Sequence, residues 1–377
     1  MLLLLPSVQA QSLNPVANAA NALPCNSGPM LSTPGKISLK TFASGLVNPW
    51  ALVFLPDGRM LVTERPGRMR IVSANGVLSA AITGVPAVYA RGQGGLLDVV
   101  LDPDYSANQR IFFSYAERSA EGVGTAVATA VLDAAALALR DVRVIYRQTP
   151  KLSGDGHFGS RLVFARDGKL FVSLGERQRF SPAQDPLQSL GKILRLNPDG
   201  SAAADNPFVG KSGYLPEIWS YGHRNPQGMT RHPQSGQMWT AEHGAMGGDE
   251  INTPEAGKNY GWPVISYGLN YDGSKIGEGR AKAGMEQPRC YWDPSIAPGN
   301  LVFYTGNKLP AWSGNLFVAA LKDKALYRLI LSDTRISGWE RFDIGQRVRD
   351  VRVGPDGWLY LLTDESEGQI LKLSVQP

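Results

Sequence analysis

Among the 377 residues there are only two cysteines and four histidines, and no internal apolar stretch approaches the roughly 20 residues of a membrane-spanning helix. Two cysteines give no zinc framework, and His223, His232 and His243 lack zinc-binding spacing. His223 and His232 read as structural. Cys25 and Cys290 could form one disulfide in an oxidising compartment. Basic residues never form a run although the net charge is +5, so the charge argues for solubility and an anionic ligand rather than for nucleic acid. Long helical patterns are nearly absent too, "LDAAALALRD" being the one notable helix candidate.

What the chain has instead is strand. Six times an apolar segment runs into a turn and emerges as a second apolar or alternating segment: "WALVFLPDGRMLVTE", "GLLDVVLDPDYSANQRIFFSYAE", "SRLVFARDGKLFVSLGE", "GMTRHPQSGQMWTAEH", "LVFYTGNKLPAWSGNLFVAALK" and "VRDVRVGPDGWLYLLTDE". Asp-Gly and Ser-Gly supply the positive backbone dihedral of tight hairpins. Further strand-like runs such as "GKILRLN" and "GQILKLSV" follow several hairpins, giving about four strands per unit of roughly 50 to 60 residues, the pattern of a propeller blade. The expectation is an all-β, six-bladed β-propeller with four-stranded antiparallel blades, a β-sandwich being the alternative.

The first residues, "MLLLLPSVQAQS", combine an apolar run with a small-residue cleavage pattern. Residues 1–10 are therefore expected to be a signal-peptide remnant and 11–35 an N-terminal tail, with 36–377 a single propeller domain. Export would place the protein in the periplasm or outside the cell.

In an antiparallel hairpin, residues equally far from the turn lie opposite each other. His157 of "GDGHFGSRLVF" then faces Glu176, and a carboxylate beside an imidazole fixes its tautomer and raises its basicity. Arg224 and Asn225 of "GHRNPQG" face His243 and Gly244. Lys322 ends the outgoing strand of the fifth hairpin, Arg347 and Arg349 open the sixth on one face, and Gln93 opens the second. Together these place a base, amides and four cations on one rim, which suits a ligand with several carboxylates or phosphates. "RGQGGLLD" lacks the ending of a phosphate loop. The stretch "EHGAMGGDEINTPEAGKNYGW" offers glycines, carboxylates and carbonyls of the kind a calcium ion takes, without the twelve-residue calcium-loop pattern.

From about residue 36 to 375 the chain also resembles the soluble aldose sugar dehydrogenases that use pyrroloquinoline quinone (PQQ), related to soluble glucose dehydrogenase. The matching pieces include "NPWALVFLPDGRMLVTER", "GQGGLLD", "HFGSRLVF", "GHRNPQG", "EHGAMGGDEIN", "GKNYGWP", "SIAPGN" and "QRVRDVRVGPDG". The resemblance implies a six-bladed propeller that oxidises aldoses at the anomeric carbon to lactones. It makes His157 the general base, oriented by Glu176, with Arg224 assisting at the quinone. It puts Gln93, Arg224, Asn225, Lys322, Arg347 and Arg349 on PQQ, with Tyr271 beside it. It also implies a calcium ion on the carbonyls of Gly244 and Ala245, and a second, structural calcium at Glu250 and the carbonyl of Tyr260. The implied partners are an aldose and an electron acceptor, with the chain as monomer or homodimer. Two features depart from the family: Gly156 stands where some relatives have an aspartate, and "SIAPGN" replaces a commoner Ser-Gly ending. A metal-dependent lactone hydrolase and a non-catalytic binding propeller stay open as alternatives on the same architecture.

Overall fold

The computed structural model describes residues 22–332 and 335–376; the expected leader at 1–10 lies outside them. The described chain forms six four-stranded antiparallel sheets. Five are built from consecutive segments, at 49–81, 96–147, 159–221, 226–292 and 298–343. The sixth pairs residues 348–376 with Lys36–Leu46, so the start of the domain supplies the outermost strand of its last blade.

The first strand of each blade lies innermost: Pro49–Phe54, Leu96–Leu101, Gly159–Phe164, Pro226–Arg231, Pro298–Phe303 and Val348–Val353. Each packs beside the next, and the sixth beside the first, so the ring closes. Apolar side chains from adjoining sheets fill the space between blades. Trp50, Leu61 and Met69 meet Phe113 and Tyr115 between the first two blades, and Tyr304, Trp312 and Phe317 cluster with Val348, Val351 and Leu361 between the last two.

The ring axis is plugged by polar side chains. Arg161, fully buried, donates to Asp98 at 3.0 Å and to the Gln227 carbonyl at 2.8 Å, and lies 4.0 Å from the Trp50 ring centre. Asp98, Asn300 and Asp350 accept the backbone amides of Leu162, Met229 and Leu52 on neighbouring inner strands. Burying these groups is tolerable because each finds a partner across the axis.

Two segments differ from expectation. Residues 134–137 of the expected helix form a turn, flanked by Gly122–Asp133 and Ala138–Arg147, which pair with each other. The helix propensity of alanine and leucine is small per residue, and the sheet ladder overrides it. Residues 22–35, expected as a tail, lie against the ring: Cys25 is bonded to Cys290, and Thr33 donates to Glu340 and accepts from Trp312 and Arg328.

Candidate active site

All six innermost strands carry a register shift near their starting ends. A bulge of this kind bends the strand and re-aims its side chains. In the third blade the shift decides which residue meets the carboxylate. If the register of Phe164 with Leu170 ran on unbroken, Glu176 would face Phe158; the shift between Gly159 and Leu162 brings His157 into that place instead. His157, Gly159 and Ser160 all take positive φ, at 52°, 64° and 87°. Gly175 must be glycine, because a Cβ there would sit 2.2 Å from the His157 carbonyl oxygen.

The imidazole Nδ1 of His157 lies 2.6 Å from Glu176 Oε1. Glu176 Oε2 accepts the backbone amides of Arg179 and Phe180, and the Glu176 amide donates to the Arg224 carbonyl. Burial opposes ionisation of Glu176, but His157 and those amides outweigh it and hold the carboxyl below its ordinary range. Burial pushes His157 below the ordinary histidine value, with Glu176 opposing the shift and Arg224 adding to it. The ring is therefore neutral near pH 7, with Nδ1–H on the carboxylate and the Nε2 lone pair without a partner among the described residues. Its backbone is held as well, the His157 amide donating to Gln93 Oε1 at 2.8 Å.

Arg224 and Asn225 reach this cluster from the loop before the fourth blade. The Arg224 guanidinium donates to the carbonyls of His243 and Gly244 and packs over Trp262, 5.1 Å from the ring centre. Trp262 in turn stacks with Phe180. Asn225 Oδ1 accepts the Gly159 amide. Arg224 Nε and Asn225 Nδ2 are buried without partners.

Beside the cluster opens a hollow of about 540 Å³ whose walls include Gln93, Arg65, His243, Arg347, Arg349 and Asp364. Arg349 donates to Asp364 at 2.6 Å, with Arg347 at 3.6 Å and Arg65 at 4.0 Å from the same carboxylate. Burial opposes ionisation of Asp364, but Arg349 prevails and keeps its pKa low. His243 donates from Nε2 to the Pro298 carbonyl, and burial together with Arg349 pushes its pKa down to about 3, so it adds no charge. Three guanidinium groups against the two carboxylates of Asp364 and Glu365 leave an excess of positive charge, and the Nε atoms of Arg65 and Arg349 are buried without partners. Such a wall suits a polyanion.

Lys322 and Tyr271 stand apart from this network. Lys322 is exposed, with its amide donating to the Ile296 carbonyl, and its side chain makes no bond among the described residues. Tyr271 is 77% exposed on its loop. Four other residues were not singled out in the sequence: Arg65, Arg177, Asp249 and Asp364. Arg177 packs its buried guanidinium over Phe158 and donates to the carbonyls of Gly154 and Gly156, so it ties the loop carrying His157 to the turn after Glu176. Asp249 accepts the amides of Gly244, Ile296 and Ala297 and joins two loops of the rim. The signal for Asp364 lay in a repeated feature, an acid at or just past the end of the second strand of a blade: Glu64, Glu176, Glu242 and Asp364 all stand there and are buried.

For a metal, no group of three or more His, Cys, Asp or Glu side chains among the described residues is arranged as ligands. What the fourth blade offers is carbonyl oxygens at Gly244 and Ala245, and Glu250 directly across the strand pair from Glu242. Asn252 Nδ2 donates to both carboxylates at 3.0 Å. Burial, then Glu242, raises the pKa of Glu250. A gap of about 10 Å³ lies between Glu242, Glu250, Tyr260 and Trp262, the volume of one small occupant.

Residues 46–372 match the family model described as glucose/sorbosone dehydrogenase. Aldose sugar dehydrogenase YliI of Escherichia coli strain K12 is 48% identical over 356 residues, covering 93% of this chain and 96% of that protein. Quinoprotein glucose dehydrogenase B of Acinetobacter calcoaceticus is 27% identical, over 86% of this chain and 85% of that protein. Among solved structures, the apo form of the soluble aldose sugar dehydrogenase from Escherichia coli superposes with a TM-score of 0.87 at 46% identity, covering 90% of this chain and all of that one. The PQQ-bound form of aldose sugar dehydrogenase from Streptomyces coelicolor gives 0.76 at 30% identity, over 92% of this chain and all of that one.

Proposed function

The chain belongs to the glucose/sorbosone dehydrogenase family, and on that premise we propose that it oxidises aldose sugars at the anomeric carbon to lactones, using PQQ and calcium. The observation that carries the reading is the neutral His157, fixed by Glu176 at 2.6 Å with Nε2 left open, beside a hollow walled by arginines. The residues fit the cofactor: PQQ is a tricarboxylate, and this wall has surplus positive charge with buried guanidinium nitrogens still unpartnered. Arg347, Arg349 and Gln93 would hold it from the hollow, Arg224 and Asn225 from the opposite side, with Lys322 and Tyr271 at the outer edge. Calcium would rest on the carbonyls of Gly244 and Ala245; the Gly244 oxygen, already accepting from Arg224, has a second lone pair to give. A second ion would fit at Glu250 and the Tyr260 carbonyl, where it would relieve the repulsion between Glu250 and Glu242.

When bound, PQQ would supply the hydride acceptor and calcium a Lewis acid beside it. The chain's own part is proton removal and positioning. His157 Nε2 takes the proton of the anomeric hydroxyl, because Nδ1–H is committed to Glu176. Glu176 stabilises the imidazolium that forms, and its own accepted amides keep it ionised throughout. Arg224, anchored on two carbonyls and on Trp262, presents positive charge where oxygen gains negative charge. The sugar leaves two electrons and one proton poorer on hydride loss, with the second proton on His157, and departs as the lactone.

The Cys25–Cys290 disulfide supports an oxidising location, the periplasm or the exterior. No described helix is long and apolar enough to cross a membrane. The test of the reading is direct: apoprotein mixed with PQQ and calcium should reduce a redox dye when an aldose is added. Silence across a broad panel of sugars would refute it.

A further inference from the structure

Immediately before the base, the chain has a glycine whose missing side chain is filled by another residue. A Cβ on Gly156 would lie 2.7 Å from Cδ, 2.8 Å from Oε1 and 2.9 Å from Nε2 of Gln178. The whole carboxamide of Gln178 thus rests on the Gly156 backbone, one residue from His157. Gln178 is exposed, and its amide makes no hydrogen bond with the described residues. A polar group held against the residue before the base, and left unbonded, is free for a ligand.

The placement is built by the fold. Arg177, Gln178 and Phe180 have φ of 60°, 59° and 60°, left-handed conformations that are strained in residues other than glycine. They persist because the turn is tied down on three sides. Glu176 accepts the amides of Arg179 and Phe180, Phe180 stacks on Trp262, and the Arg177 guanidinium is buried between Phe158 and the carbonyls of Gly154 and Gly156. Burial pushes the Arg177 pKa down to about 10, so the clamp stays charged at neutral pH. The same clamp that joins the loop of His157 to the turn also delivers Gln178 onto Gly156.

We propose that the Gln178 carboxamide is the specificity-determining group of the sugar site, bonding the hydroxyl on the carbon next to the one oxidised. The inference rests on the sugar-oxidation reading above. With Nε2 of His157 at the anomeric hydroxyl, a carboxamide resting on the backbone of the residue before it is placed for the neighbouring hydroxyl. An amide both donates and accepts, so it suits a neutral hydroxyl, whereas a carboxylate there would only accept.

The experiment uses the holoenzyme with glucose and mannose, which differ only at that hydroxyl. Gln178→Ala should raise KM for the preferred epimer about two- to tenfold, the worth of one neutral hydrogen bond, leave kcat within about twofold, and reduce the ratio of kcat/KM between the epimers. Gly156→Ala should reproduce these changes, since its backbone is not left-handed and the three atoms nearest its methyl group all belong to the Gln178 amide. In a Gln178→Ala background, Gly156→Ala should add nothing. A crystal structure of the Gly156→Ala apoprotein should show the carboxamide displaced and the His157–Glu176 bond intact. Unchanged KM and epimer ratio in Gln178→Ala, or an undiminished effect of Gly156→Ala without Gln178, would overturn the proposal while leaving the sugar oxidation standing. A wild-type protein inert toward every aldose would overturn both.

Discussion

Asp364 is the carboxylate that Arg65, Arg347 and Arg349 all approach in the hollow, and Asp364→Asn perturbs that wall without changing its shape. Its partner Arg349 is 8% exposed and Asp364 itself 6%, with 2.6 Å between charged atoms. Removing one member of a buried pair costs about 3–5 kcal/mol, because the other charge stays buried and uncompensated. An unfolding entropy of about 2.1 cal/mol/K per residue gives about 0.8 kcal/mol/K for a chain of this size, so the variant should melt about 4–6 °C lower. The lowered pKa of Asp364 sets the window: its contribution is present above about pH 4, its unfolded value, and is lost as pH falls through the folded value. The gap between variant and wild type should shrink in acid accordingly. Saturating PQQ should shrink it as well, since the ligand's carboxylates replace the missing charge and stabilise the variant more than the wild type. Thermal melts of both proteins, with and without PQQ and calcium, test this. Equal melting points without cofactor, or a gap that PQQ leaves untouched, would refute the claim that these arginines await an anion.

Other outcomes follow from the same geometry. His157→Ala should keep the cofactor, measured by calorimetry, and lose about 10²–10⁴-fold in turnover, the usual worth of a general base; undiminished turnover would remove it from the mechanism. Because burial lowers the His157 pKa, the acid limb of kcat/KM should fall below pH 6.5, its ordinary value. Glu176→Gln removes the group that opposes that shift, so its limb should move lower still, with kcat down about tenfold for the lost charge-assisted bond; a limb moving upward would contradict the assignment. Replacing Cys25 and Cys290 by alanine should cost about 2–5 kcal/mol, some 3–6 °C of melting temperature, while the folded fraction retains its kcat.

The blades were legible in the sequence because each inner hairpin repeats the same apolar run, turn and apolar run, a signal that local chemistry imposes. The strand pairing that closes the ring was not, since Lys36–Leu46 and Gly368–Gln376 lie more than 300 residues apart. Counting along the hairpin brought His157 into the neighbourhood of Glu176, but the register shift that makes the two face each other could not be read, because glycine and serine at 159 and 160 look like any loop entry. Cations were easier to find than their counter-charge. Arg347 and Arg349 open a strand and advertise one face, whereas Asp364 and Arg65 end strands where polar residues are common, and only the ring brings them together. The alanine-rich stretch near residue 135 misled because helix propensity is weak beside a complete ladder of strand pairing.

The most direct test of the account is an anaerobic absorption spectrum of apoprotein loaded with PQQ and calcium, recorded before and after adding an aldose. The account predicts that the bound quinone is reduced by sugar in the wild-type protein and stays oxidised over the same interval in His157→Ala. Failure of PQQ to bind, or equal reduction in both proteins, would contradict it.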